Sequence, residues 1–234
     1  MEVIVQPGVT YTKAEVERSA LFRRWAARLG PEWRGRVWVT GVQAWDDHRK
    51  VKQIQIIQGF AQAFDDPWPK GFTLLPHTVD VLVKVKSGWF WSWVVFVRQY
   101  RPAVGAWVYS NVAGFCNLGE PLLHAVQEEA RQELGLADLG DHTISRLLKG
   151  AVFSSPGLTG EETHFFLLVL QIPRKEIRAF LGRLHNKETG IASEGEVLKT
   201  HVVPARKAWR FIAKQQPASD EKTLHSLSLA GLRR

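Results

Sequence analysis

The chain has 234 residues, enough for one substantial domain or for a domain with a smaller appendage. Its 45% hydrophobic and 23% charged residues are ordinary for a globular protein, and no apolar run approaches the roughly 20 residues that span a bilayer. Cys116 is the single cysteine, which excludes an intramolecular disulfide and a cysteine-based zinc site. The formal net charge of +8 is weighted to the first 110 residues, which hold 15 basic against 9 acidic side chains. That excess favours anionic partners: nucleotides, RNA or an acidic protein. The opening MEVIVQPGVT lacks the basic start and apolar run of a secretory signal. A cytoplasmic protein is expected, or a mitochondrial or plastid one if a leader was removed. Neither secretion nor a membrane partner is expected.

In chain order, apolar Val16, Ala20, Leu21, Trp25 and Leu29 recur at helical spacing and predict a helix over 13–29. Val37–Trp45 and Lys52–Phe64 alternate apolar and polar positions and predict two antiparallel strands, with a turn at Asp46-Asp47-His48. The breaker-rich stretch from Asp65 to Gly71 is the expected boundary between an N-terminal part, 1–71, and a main domain, 72–234. Strands follow at Val79–Lys86, Trp91–Gln99 and Ala106–Val112, then a helix from about Glu120 to Leu134, stopped by Gly135. Further strands are expected at Ser145–Phe153 and His164–Gln171, and Pro173 opens a helix to about Leu184. The strand Val197–Val203, a helix after Pro204 and an amphipathic segment Thr223–Leu232 complete the chain. The order predicts an α/β (α+β) protein in which helices layer both sides of a mixed sheet.

The residues that carry chemistry lie between 114 and 136, GFCNLGEPLLHAVQEEARQELGL. Glu129 and Glu133 stand at i and i+4, on one helical face, and Gln132 shares that face. Two carboxylates so placed repel unless a cation lies between them, and a hard divalent ion, Mg2+ or Mn2+, suits their oxygens. Gly114 lets the preceding loop fold tightly onto the helix and offer a carbonyl as a further ligand. A solvated acidic face is the plainer reading of such a cluster, but the spacing is more specific than that.

It resembles the Nudix box, G-x5-E-x7-R-E-U-x-E-E-x-G-U with U a bulky apolar residue. Gly114, Glu120, Glu129, Glu133, Gly135 and Leu136 match it, and Ala130 stands at the first U. Two positions depart: the family's arginine is Glu128, and the first glutamate of its paired E-E is Gln132. Glu128 replaces a cation with an anion, with Arg131 three residues on able to compensate in part. Gln132 retains an oxygen but not the charge.

Flanking motifs narrow the likeness to ADP-ribose and ADP-sugar pyrophosphatases, and the opening PGVT and following helix are similar to plant-type ADP-sugar diphosphatases. Val97-Arg98-Gln99-Tyr100-Arg101-Pro102 looks like the strand end before the box in those enzymes, and Ser155-Pro156-Gly157-Leu158-Thr159-Gly160-Glu161-Glu162 like their S-P-G-G-x-x-E-E loop. Leu158 replaces the usual second glycine. Glu194-Gly195-Glu196 resembles their late acidic loop.

The resemblance implies a Nudix fold, an α/β/α sandwich with a mixed sheet plus a small N-terminal helix and antiparallel strands. It also implies hydrolysis of a nucleoside diphosphate sugar, ADP-ribose or ADP-glucose, by a homodimer. Mg2+, with Mn2+ as a substitute, would be held by the Ala113 carbonyl, Glu129, Glu133 and Glu196. Glu194 would be the general base, Arg98 and Arg101 would hold phosphates, and Glu161 would contact the sugar. Gly114, Glu120 and Gln132 would support the box. The N-terminal strands would help form the dimer and supply a base-stacking aromatic, with Trp38, Trp45 and Phe60 as candidates. The competing expectation is a weakened Nudix domain kept as a nucleotide- or RNA-binding module in a larger ribonucleoprotein, which the changes at Glu128 and Gln132 favour.

Overall fold

The computed structural model describes residues 1–31, 33–46, 52–117, 119–190, 197–215 and 220–232, with the side chains of Trp45, Asp46 and Lys52 outside that description. The chain forms two compact units. One comprises Met1–Thr78, Cys116–Gly119 and Val152–Thr163, and the other comprises Val79–Phe115, Glu120–Ala151 and His164–Arg234.

The first unit contains β1 (Glu2–Val5), α1 (Lys13–Arg18), α2 (Ala20–Leu29), β2 (Gly35–Asp46), β3 (Lys52–Ala63) and β4 (Lys70–Leu74), and its sheet runs β1-β2-β3-β4. β1 is parallel to β2, and β2–β3 and β3–β4 are antiparallel. Strand alternation turns Val37, Val39 and Ile57 inward, where they pack with Val16, Leu21 and Phe22 of the helices. Trp25 stacks on Phe72 with centroids 5.0 Å apart.

The single helix expected over 13–29 is two helices. Ser19 is extended (φ −61°, ψ 141°), ends α1, and accepts a hydrogen bond at its Oγ from Phe22 N, capping α2. A serine that can bond the free N–H groups of a new helix competes with continuing the old one. The β2–β3 pairing agrees with expectation, and the turn between these strands lies outside the described residues. β1 and β4 are additional strands. Residues 64–69 form the turn between β3 and β4, and Lys70 and Gly71 already belong to β4; Trp68 N donates to Asp66 Oδ1 and Lys70 pairs with Asp66 at 2.7 Å.

The second unit is built on an eight-stranded sheet. Its strands are β5 (His77–Ser87), β6 (Trp91–Arg101), β7 (Ala106–Ser110), β8 (Val112–Cys116), β9 (His142–Arg146), β10 (Thr163–Gln171), β11 (Glu188–Thr189) and β12 (Leu198–Pro204). The order is β11-β12-β6-β5-β10-β9, with β7 on β6 and β8 on β5. The helices are α3 (Leu122–Leu134), α4 (Ile177–Leu184), α5 (Ala208–Ala213) and α6 (Glu221–Leu229).

The side-chain parity of β6 and β12 shows the layering. Val94, Phe96 and Val203 pack with Ala208, Ile212 and Leu227 on the α5–α6 side. On the opposite parity, Thr200 donates to the Leu184 carbonyl of α4, and Thr189 donates to the Glu133 carbonyl of α3. Helices therefore cover both faces, as the α/β/α expectation requires. The strand expected over 145–153 is shifted: β9 pairs with β10 from His142 to Arg146, and beyond it Val152 makes only an isolated bridge to Thr163. The Arg146 guanidinium bonds the Lys149 carbonyl, turning the chain off the sheet ahead of Gly150.

A buried polar network ties α6 to the sheet. Asp80, 1% exposed, accepts at Oδ1 from Asn111 Nδ2 at 2.7 Å and from Ser226 Oγ at 2.5 Å, while Asn111 N donates to Thr223 Oγ1. Burial is the largest influence on the Asp80 carboxyl and pushes its pKa up to about 6, against the opposing effect of the two hydrogen bonds.

Candidate active site

α3 carries the glutamates, and its ends explain its place. Glu120, two residues ahead of the helix, pairs with His124 Nδ1 at 2.6 Å across the first turn. At the other end Gly135 is left-handed (φ 62°), and its N–H bonds back to the Gln132 carbonyl. Lys187 Nζ donates to the Gly135 carbonyl at 2.7 Å and Thr189 Oγ1 to the Glu133 carbonyl at 2.6 Å, so side chains from β11 and the residue before it cap the helix C-terminus.

β8 supplies the opposing backbone. A Cβ at Gly114 would fall on the carboxylate of Glu129, so the absence of a side chain at 114 is what lets that carboxylate lie against the strand. Ala113 is the next residue back on the same strand. Glu133, one turn along α3 from Glu129, is 6% exposed. The donors gathered on α3 and β8 are oxygens: two carboxylates, the Gln132 amide and the Ala113 carbonyl. Such a set fits a hard divalent cation, and the cradle at Gly114 is shaped for the carboxylate that would bind it.

The two departures in the motif behave differently. Glu128 forms a close ion pair with Arg131 on the same helix, so its charge is met locally. Gln132 is half-buried beside the glutamates and leaves the site one negative charge short of a four-glutamate box.

The arginines separate. Arg101 ends β6 on the parity of Gln99, the α3 side, and is exposed. Arg98, an odd number of residues away, faces the α5–α6 side, where its guanidinium lies over Trp107 and Tyr109 at 5.3 and 5.4 Å. There it lines a cleft of about 260 Å³ with Tyr109, Asn186, Lys199 and His201. The structure thus puts Arg101, and not Arg98, on the carboxylates' face of the sheet.

Glu161 belongs to the first unit. Its Oε1 accepts from Thr78 Oγ1 at 3.1 Å and Thr163 Oγ1 at 3.4 Å. The loop before it is bonded to the edge of β4: Thr73 N donates to the Leu158 carbonyl and Gly160 N to the Thr73 carbonyl. The neighbouring Glu162 pairs with Arg28 and with His77 Nδ1. Leu158 is 63% exposed. Glu194 and Glu196 lie outside the described residues. Of the aromatic candidates, Trp38 and Phe60 are cross-strand partners on the outer side of β2–β3, and Phe60 is exposed; the Trp45 side chain lies outside the description.

Sequence reading missed Thr189 and Lys187 as supports of α3 and the two threonines that hold Glu161. Lys187 and Thr189 carry no local signal of this role, since only the folded register brings them to the helix end.

No family model matches the chain. Over 240 residues it is 28% identical to Nudix hydrolase 14, chloroplastic, of Arabidopsis thaliana, with 90% of this chain and 70% of the relative covered. That similarity supports the Nudix superfamily. Among the described residues no helix is long and apolar enough to cross a membrane.

Proposed function

We propose that this protein hydrolyses the diphosphate bond of a nucleoside diphosphate sugar, ADP-ribose or ADP-glucose, releasing a nucleoside monophosphate and a sugar phosphate. The observation that carries the reading is the Glu129 carboxylate seated in the space that Gly114 leaves beside the Ala113 carbonyl, with Glu133 one turn on. A solvated helix face has no use for a glycine cradle. The relative's name, a Nudix hydrolase, points the same way.

The Ala113 carbonyl, Glu129, Glu133 and Glu196 would hold Mg2+ or Mn2+, which when bound would supply charge neutralisation of the diphosphate and polarisation of phosphorus. Arg101, exposed on the same side of the sheet, steadies the phosphates through its guanidinium fork. Water attacks one phosphorus, the P–O–P link breaks, and Glu194 takes the proton that the water loses. Glu161, whose Oε1 accepts from the Thr78 and Thr163 hydroxyls, would contact the sugar. Glu120 fixes the loop–helix junction through His124. In a homodimer, the aromatic face of the N-terminal sheet, with Trp38 and Phe60, would supply the base contact.

The test is a substrate panel of ADP-ribose, ADP-glucose and UDP-glucose with Mg2+, Mn2+ or EDTA, read as nucleoside monophosphate release. Metal-dependent release ranks the substrates. A folded protein inert with every metal removes the hydrolase reading and leaves the binding-module alternative. The uncharged Gln132 favours that alternative, and RNA is the ligand to assay next.

A further inference from the structure

The turn between β5 and β6 is made of aromatic residues that no described residue covers. Gly88, with φ 63°, begins the turn, and Trp89, Phe90 and Trp91 follow at 92%, 89% and 60% exposure. Trp91 stacks on Trp93 at 6.3 Å with the rings 14° apart, which extends the apolar surface down the strand. Single exposed hydrophobic residues are normal, but three consecutive large aromatics at a hairpin tip are not, because each costs free energy in water unless something covers it.

The surroundings indicate what covers it. Ile172 N bonds the Lys86 carbonyl, bringing the end of β10 and the following Arg174-Lys175 to one flank of the hairpin. The Arg174 guanidinium lies against Gly88, about 3.3 Å from where a Cβ would be. On the other flank Pro204 of β12 is paired with Trp93, so Arg206 and Lys207 follow directly beyond the aromatic strand end. Arg174, Lys175, Arg206 and Lys207 are all exposed, and Lys86 is half-buried. Among the described residues the acid paired with them is Glu176, 3.8 Å from Lys175. Apolar rings projecting from a collar of cations match the two layers of an anionic bilayer surface: the rings reach the headgroup–acyl boundary and the cations meet the lipid charge.

We propose that the Trp89–Trp91 hairpin tip, with the basic collar of Arg174, Lys175, Arg206 and Lys207, docks this protein peripherally on anionic lipid bilayers. The expectation of no membrane partner rests on the absence of a spanning apolar run, and three side chains on a turn leave no such run. The inference is independent of the hydrolase reading, since none of these residues belongs to the carboxylate site.

The experiment is flotation of the full chain with phosphatidylcholine vesicles and with vesicles containing about one third phosphatidylglycerol. Brominated acyl chains, as quenchers of tryptophan fluorescence, report insertion. The expected result is binding to the anionic vesicles, weakened by added salt, with quenching of part of the tryptophan emission. The combined substitution Trp89→Ser, Phe90→Ser and Trp91→Ser should abolish the quenching and weaken binding at least about tenfold. Arg174→Glu with Lys207→Glu should weaken binding as much without touching the rings, and it tests the proposal even if the aromatic variant fails to fold. Failure of the folded chain to float with anionic vesicles overturns the proposal, as does binding by both variants, each folded, that equals the parent's. Tip-dependent binding of a single-stranded oligouridylate without vesicle binding overturns it in favour of a nucleic-acid surface.

Discussion

Replacing Asp80 with Asn isolates the energetic consequence of burying a carboxyl group between β5 and α6. In the folded protein the carboxyl is 1% exposed with a pKa pushed up to about 6, against the value of 3.8 it has when unperturbed. The folded state therefore holds its proton more tightly than the unfolded chain. The stabilisation from the neutral form is complete below the unfolded pKa and is lost as pH rises through the folded pKa. A shift of about two pH units corresponds to about 3 kcal/mol. Asparagine keeps an oxygen that can accept from Asn111 Nδ2 and Ser226 Oγ, and it cannot ionise. The variant should match the parent near pH 4 and exceed it by about 3 kcal/mol above pH 7, a rise of roughly 6–12 °C in Tm for a chain of this size. Paired urea or thermal melts followed by circular dichroism from pH 4 to 8 give the difference directly, because the pH dependence of other groups cancels between the two proteins. A difference that does not change with pH, or an Asn variant less stable at pH 8, would refute the reasoning.

Three further predictions concern the glutamate helix. Gly114→Ala places a methyl group on the Glu129 carboxylate, and metal-dependent turnover should fall at least about a hundredfold in kcat/KM, since the carboxylate loses its place. Gly135→Ala meets both a left-handed backbone and the Lys187 ammonium, 2.6 Å from the new Cβ, and should cost about 1–3 kcal/mol in a denaturant melt. Arg131→Met removes the partner of Glu128. Both side chains are about a third exposed, so screening holds the cost to roughly 0.5 kcal/mol, and the swap Glu128→Arg with Arg131→Glu should recover it.

How much of this was legible in the chain depends on the distance over which each feature is decided. The spacing from Gly114 to Leu136 predicted α3, its stop at Gly135 and the shared face of Glu129 and Glu133, because helix periodicity acts within a few residues. The alternation in β2 and β3 was readable for the same reason. Other features depend on what meets what after folding. Ser19 divides a helix that periodicity alone would carry through. β9 is set by its register with β10, not by its own apolar content. Asp80 and Ser226 are 146 residues apart, so nothing local announces their bond. Arg98 and Arg101 looked alike in one motif, yet three residues along a strand place them on opposite faces of the sheet. The bonding of the Leu158–Gly160 loop to β4 had no local signal either, because β4 itself was hidden in a breaker-rich stretch.

The central claim is that α3 and β8 together form a metal-dependent diphosphate hydrolase site. Its most direct test compares the parent and Glu133→Gln in nucleoside monophosphate release from ADP-ribose at saturating Mg2+, with melts confirming that both are folded. The account predicts turnover in the parent that EDTA abolishes and that the substitution lowers by at least about a hundredfold. Turnover equal in the two proteins, or none in a folded parent with either Mg2+ or Mn2+, would contradict it.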